Sequence, residues 1–222
     1  MNVKNTEKEK QEEVLNSLRD NLYPLFRGFK SIKDKIMLAK SHMALGLIGG
    51  FGVASLTSNQ ANAIVLLPLV VFGSLLPDID EPRSFIGRKF PIISHIVSLS
   101  FTHRGFTHFF IFPFLIILLG LVLLPYYKTY AFVCFAISFG IFLHQIGDML
   151  TISGIPYYFF PFSKAKAVLL PSALRFKTGS ATEKMIFSIV LVPIIALFGA
   201  SYLGILHNFD VYKIINIIGE LS

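Results

Sequence analysis

Residues 129–150 read TYAFVCFAISFGIFLHQIGDML, and that stretch decides the fold. A helix that crosses the hydrocarbon core of a bilayer needs about 20 mostly apolar residues, with a range of about 17–25. This run has that length and composition, and it ends in His144 and Asp148. Spaced four apart on a helix, those two side chains share one face, one turn apart. That spacing suits two ligands of one metal ion or of adjacent ions. Ionisable groups near lipid are costly and are placed there mainly for function.

Working outward, four more apolar segments appear, at about 41–57, 60–77, 106–125 and 185–206. The segments at 106–125, 129–150 and 185–206 have spanning length. The first two are short and are joined by the polar TSNQAN (57–62), so they read as a tight helical hairpin or a re-entrant pair. A further apolar piece, 91–102, is too short to span and reads as interfacial. The whole chain has 222 residues, 54% of them hydrophobic, and a mean hydropathy of +0.66, which is too apolar for an ordinary soluble domain. The expected fold is all-α: a polytopic membrane bundle of about four to five transmembrane helices plus an N-terminal amphipathic helix.

Two parts are expected, a polar leader over 1–40 and a membrane-embedded metal-site domain over 41–222. The leader holds nine Lys/Arg and six Asp/Glu and has no apolar stretch of the signal-peptide kind. Its Val14, Leu15, Leu18, Leu22 and Leu25 recur at helical spacing, which suggests a helix lying on the membrane; a solvated leader is the other reading. With no Trp and 23 Phe, aromatic contacts at the interface fall to Phe and Tyr. The single cysteine, Cys134, excludes a disulfide framework and a thiolate zinc site. The net charge of +7 sits at segment ends and reads as orientation and headgroup contact; no nucleic-acid motif accompanies it.

Lys and Arg in the connections set the orientation. The leader carries nine, the connection 78–105 carries four and the connection 151–184 carries five, against none in 58–61 and one, Lys128, before the fourth segment. If all five segments span, the basic connections share one face, which should be cytoplasmic, with the N-terminus inside. The candidate ligands then share it too. His42 opens HMALGLIGG; Asp78 and Asp80 lie in LLPDID (75–80); His103 and His108 lie in THRGFTH (102–108); His144 and Asp148 end the fourth segment.

Asp78 and Asp80 flank Ile79, so in an extended or turn segment both carboxylates would point the same way and could chelate or bridge. His103 and His108 bracket a loop and a helix start, with Gly105 permitting a sharp turn. His and Asp donors together suit zinc, manganese or iron, with zinc the first choice. Four histidines and three aspartates exceed the needs of one ion, so two or more divalent ions are expected. Two-metal sites stabilise both attacking and leaving oxygens in phosphoryl displacement. Arg104 is the candidate phosphate-binding group and Asp80 the second catalytic candidate. Thr107, Thr151 and Glu183 are candidates for orienting the ligands from outside. Glu183 also fits a plain cap, through Ser180-Ala181-Thr182-Glu183, and Thr151 with Gly154 an ordinary helix stop. His95 and His207 read as interface histidines.

His42, LLPDID, HRGFTH (103–108) and HQIGDMLTISG (144–154) together resemble the YdjM family, described as membrane-bound metal-dependent hydrolases. The resemblance covers about 41–185 and leaves the leader out. A looser, pattern-level likeness links the early His, the PDID element and the later HxxxD to zinc-dependent phospholipases C. The expected function is therefore a membrane-bound metal-dependent hydrolase acting on a phospholipid or other lipid phosphate at the cytoplasmic face. Its partners would be membrane lipids. The alternatives are a divalent-metal or solute transporter, whose site usually lies near the bilayer midplane, and a protein whose metal only staples helices.

Overall fold

The structure is a computed structural model, and it describes residues 39–55, 65–100 and 105–202. The leader expected over 1–40 therefore falls almost wholly outside the described residues, as do His103, Arg104 and His207. Among the described residues the fold is all-helical. Strand pairing is limited to two isolated bridges, Thr151 with Phe176 and Ile155 with Ala167.

Helix α1 occupies 39–55. Helix α2, Leu67–Gly73, leads into a 3-10 turn at Leu76–Asp80, with Pro77 in its first turn. Two short helices follow, α3 (Phe85–Lys89) and α4 (Pro91–Ser100). A second 3-10 turn, Phe106–His108, precedes α5 (Ile111–Leu123). Helix α6, Lys128–Met149, is the fourth apolar segment almost to the residue. After a long connection, α7 covers Ala181–Tyr202, with a π-helical stretch at Phe187–Leu191 just before Pro193, a residue with no N–H to give to the ladder.

Helices α6 and α7, each of 22 residues, are long and apolar enough to cross a membrane. At 1.5 Å per residue each is about 33 Å long, against about 30 Å of hydrocarbon. The segment 106–125 is shorter than expected. Its helix has 13 residues, about 20 Å. Gly105 to Phe110 are diverted into the turn that carries His108. The segment 60–77 likewise keeps only seven helical residues in α2, because Pro77 and the Asp78–Asp80 turn end it; residues 60–64 lie outside the described residues.

Small residues let α1, α2 and α6 approach closely. A Cβ on Gly140 would run into Val70 O and lie 2.7 Å from Ser74 N, and one on Gly73 would run into Ile137 O. A Cβ on Gly46 would lie 2.6 Å from Ser74 Oγ. Lipid tails are as apolar as leucine, so helices in a bilayer are held by such close packing and by interhelical hydrogen bonds rather than by the hydrophobic effect. Ser138 supplies one of those bonds, donating to Pro113 O across α5 and α6 at 2.8 Å.

Gly140→Ala forces its methyl against the backbone of α2, where no side chain can yield. We expect a loss of about 1–3 kcal/mol, typical of overpacking, read as a lowered melting temperature in detergent. Wild-type stability in Gly140→Ala would mean the two helices do not meet this closely.

Candidate metal centre

Two turns and two helices build the site, with His42 supplied by α1. Pro77 helps start the 3-10 turn that carries Asp78 and Asp80. Ser84 then locks the following chain: its hydroxyl donates to Asp78 O and accepts from Gly87 N, each at 2.8 Å. The Phe106–His108 turn brings His108 inward. Helix α6 brings His144 and Asp148, both on its buried face.

The orientation of the histidines follows from their acceptors. His144 Nδ1 lies 2.8 Å from Ser74 O, which can only accept, so Nδ1 carries the proton. His108 Nδ1 lies 3.2 Å from Asp80 Oδ2 and donates to it. Thr107 Oγ1 donates to the same carboxylate oxygen at 3.2 Å. In the neutral rings both Nε2 atoms then present lone pairs, and these face each other 3.3 Å apart. Two lone pairs at that distance call for a proton or a cation between them.

The carboxylates complete the set. Asp148 Oδ2 lies 3.6 Å from His108 Nε2 and 3.7 Å from His144 Nε2. Asp78 Oδ1 lies 3.9 Å from each of the same two nitrogens. Donors bound about 2.0–2.1 Å from a tetrahedral ion lie about 3.3–3.4 Å from one another, so the observed spacings need to close by only a few tenths of an ångström. His42 stacks on His144 with ring centroids 3.8 Å apart, and its Nε2 is 3.8 Å from Asp148 Oδ1. Two donor groups result, Asp78–His108–His144 and His42–His144–Asp148. Burial pushes the Asp78 carboxyl above its usual range; His144 and His108 pull it down, and Asp148 and Asp80 push it up. The nitrogen and oxygen donors, the buried carboxylates and the fixed tautomers fit a metal cation.

Of the seven expected ligands, the structure brings together His42, Asp78, His108, His144 and Asp148, and sets Asp80 one step back. The two aspartates do not point the same way. In a 3-10 turn, with three residues per revolution, positions two apart are rotated by about 240°. Asp78 therefore faces the Nε2 side of His108 and Asp80 faces its Nδ1 side. Asp80 thus orients His108, as expected of Thr107. His103 and Arg104 lie outside the described residues. Thr151 donates to Asp148 O at 2.7 Å, so it stops the helix rather than touching the carboxylate. Glu183 caps α7: its N–H donates to Ser180 Oγ, and its own Oε2 accepts from Gly179 N. It also accepts from Ser41, the neighbour of His42, at 2.8 Å.

Sequence reading missed Gln145 and Tyr158. The fully buried Gln145 amide donates to His108 O and Phe109 O, and accepts from the Tyr158 hydroxyl at 3.2 Å. It ties α6 to the His108 turn and to the connection 151–180. Its signal in the sequence is an uncharged amide beside His144 in an apolar run, a weaker mark than an ionisable group because an amide costs less to bury.

The YdjM inner membrane protein family profile matches residues 37–209, and the chain belongs to that family. It is 36% identical to YvsG of Bacillus subtilis over 116 residues, 52% of this chain and 67% of that protein. It is 34% identical to the inner membrane protein YdjM of Escherichia coli over 92 residues, 41% of this chain and 47% of that protein. The match to the Escherichia coli relative thus spans about half its length. No solved structure matches the chain.

Titration of the full chain in detergent with Zn²⁺ separates ligands from orienting groups. His144→Ala should abolish binding, whereas Asp80→Asn should weaken it about 10–100-fold, the usual cost of losing an outer partner of a metal-bound histidine. Binding lost as completely in Asp80→Asn as in His144→Ala would make Asp80 a ligand.

Proposed function

We propose that this YdjM-family membrane protein is a metal-dependent hydrolase of phosphoesters, acting on a phospholipid or other lipid phosphate. The observation that carries the reading is the facing pair of His108 and His144 Nε2 atoms, with Asp78 and Asp148 beside them. A divalent ion held there supplies Lewis acidity toward a phosphoryl oxygen and lowers the pKa of water. Asp148 turns Oδ2 to the histidine pair and Oδ1 to His42, so Asp148 and His42 would be the residues to hold a second ion. Arg104, next to the His108 turn in sequence, is the proposed phosphate-binding group.

Access favours the Asp78 side. Its side chain is 10% exposed, whereas those of His42, Asp80, His108, His144 and Asp148 are 0–3% exposed. The surroundings suit a lipid substrate. Phe109, which follows His108, packs on Phe160, and Phe110 packs on Phe159 and Phe162, which are 44–81% exposed together with Phe160. Exposed Lys164, Lys166 and Lys177 follow in the same connection. Aromatic and basic side chains in company belong at headgroup depth. We place four or five spans around the site, with the N-terminus on the cytoplasmic side, by the distribution of Lys and Arg.

A second reading draws on the near-complete burial of the donors: an ion that only ties α6 to the two 3-10 turns. Assay of the reconstituted protein on lipid phosphates separates the readings. Chelation should abolish hydrolysis, and added zinc or manganese should restore it. His108→Ala and Asp148→Asn should lower turnover by at least about 100-fold, as befits the loss of several kcal/mol of transition-state stabilisation. Bound metal without turnover of any phosphoester contradicts the hydrolase and leaves the staple; metal flux across the vesicle wall without hydrolysis indicates a transporter.

A further inference from the structure

Helix α4 is inside out by the standards of a water-exposed helix. Ile92, Ile96 and Leu99 recur at i, i+4 and i+7, which puts them on one helical face. They are 76%, 60% and 87% exposed. The opposite face turns Ser94, fully buried, and Val97 inward. The serine sits there for a steric reason. A Cβ on Gly87 of α3 would lie 2.9 Å from Ser94 Oγ, so α3 and α4 meet with little room for a larger side chain. Val97 and Phe85 pack on the cluster of Leu75, Ile79 and Ile86, which anchors the pair to the turn between Asp78 and Asp80.

We propose that α3 and α4 form a membrane-surface element, seated in an anionic headgroup layer with the Ile92–Ile96–Leu99 stripe at the acyl boundary. Length excludes a span: ten residues reach about 15 Å, half of the hydrocarbon thickness. Charge selects the surface. Exposed Arg83, Arg88 and Lys89 precede the stripe, with Glu81 as the acid nearby, which complements anionic lipid. A water-facing helix would turn Ser94 out and Ile92 and Ile96 in, and α4 does the reverse. The occupant is therefore the bilayer surface. The proposal stands apart from the metal reading, because its test reads depth and not turnover.

The chain contains no Trp, so one introduced tryptophan reports alone. Leu99→Trp and Ile96→Trp place it on the stripe at positions that are open in the structure, and Ile189→Trp, at a 66% exposed position midway along α7, serves as the deep reference. The full chain is reconstituted in phosphatidylcholine vesicles containing phosphatidylglycerol, with bromines near the carbonyl end or near the tail of the acyl chains. Insertion about 5–10 Å into the headgroup and acyl boundary predicts about twofold stronger quenching from the carbonyl-end bromines at Leu99→Trp and Ile96→Trp, and the reverse order at Ile189→Trp. Leaving out phosphatidylglycerol should move the Leu99→Trp emission to longer wavelength. Three quenching results overturn the proposal: strongest quenching from the tail bromines, which puts α4 at mid-bilayer; full access to acrylamide, which puts it in water; and protection from both, which puts protein on the face. Emission indifferent to lipid charge overturns the anionic assignment. Two stripe positions keep the result from resting on one variant.

Discussion

Two imidazole nitrogens turned toward each other at 3.3 Å, both rings buried, set the terms for the rest of the structure. Neither orientation is accidental. The Ser74 carbonyl holds one ring and the Asp80 carboxylate, itself steadied by Thr107, holds the other. Ser74 reaches His144 only because Gly140 and Gly73 let α2 lie against α6. His108 reaches it only because Gln145 grips the backbone of the His108 turn. The close helix packing and the polar centre are thus one arrangement: loosening either would separate the pair.

The irregular backbone is buried in the way a membrane protein requires. In a bilayer, backbone that leaves a regular helix is tolerated where it is buried in protein or lines a polar cavity. The two 3-10 turns that interrupt the apolar segments are the turns that carry Asp78, Asp80 and His108. Their polar groups are taken up by Ser84, Thr107 and Gln145. Helices α2 and α5 are short for this reason. Residues that would have extended them are spent on presenting donors.

Much of this was legible in the sequence. The i, i+4 pair His144 and Asp148 could be read directly, because a 22-residue apolar run leaves no doubt about its period. His42, Asp78 and His108 were legible as acids and histidines at the edges of apolar runs. The direction of the Asp80 carboxylate was not, since two residues of spacing mean one thing in an extended chain and another in a 3-10 turn. The role of Ser74 was beyond reach, because a carbonyl acceptor has no side-chain signature. The inverted polarity of α4 was visible only once the packing showed which face Ser94 occupies.

X-ray absorption at the metal edge of purified, zinc-loaded protein tests the central claim most directly. The account predicts stoichiometric metal with only nitrogen and oxygen neighbours at about 2.0–2.1 Å, and the outer scattering of at least two imidazole rings, which diminishes when His108 is replaced. Metal without imidazole scattering, or no stoichiometric metal at all, would contradict it.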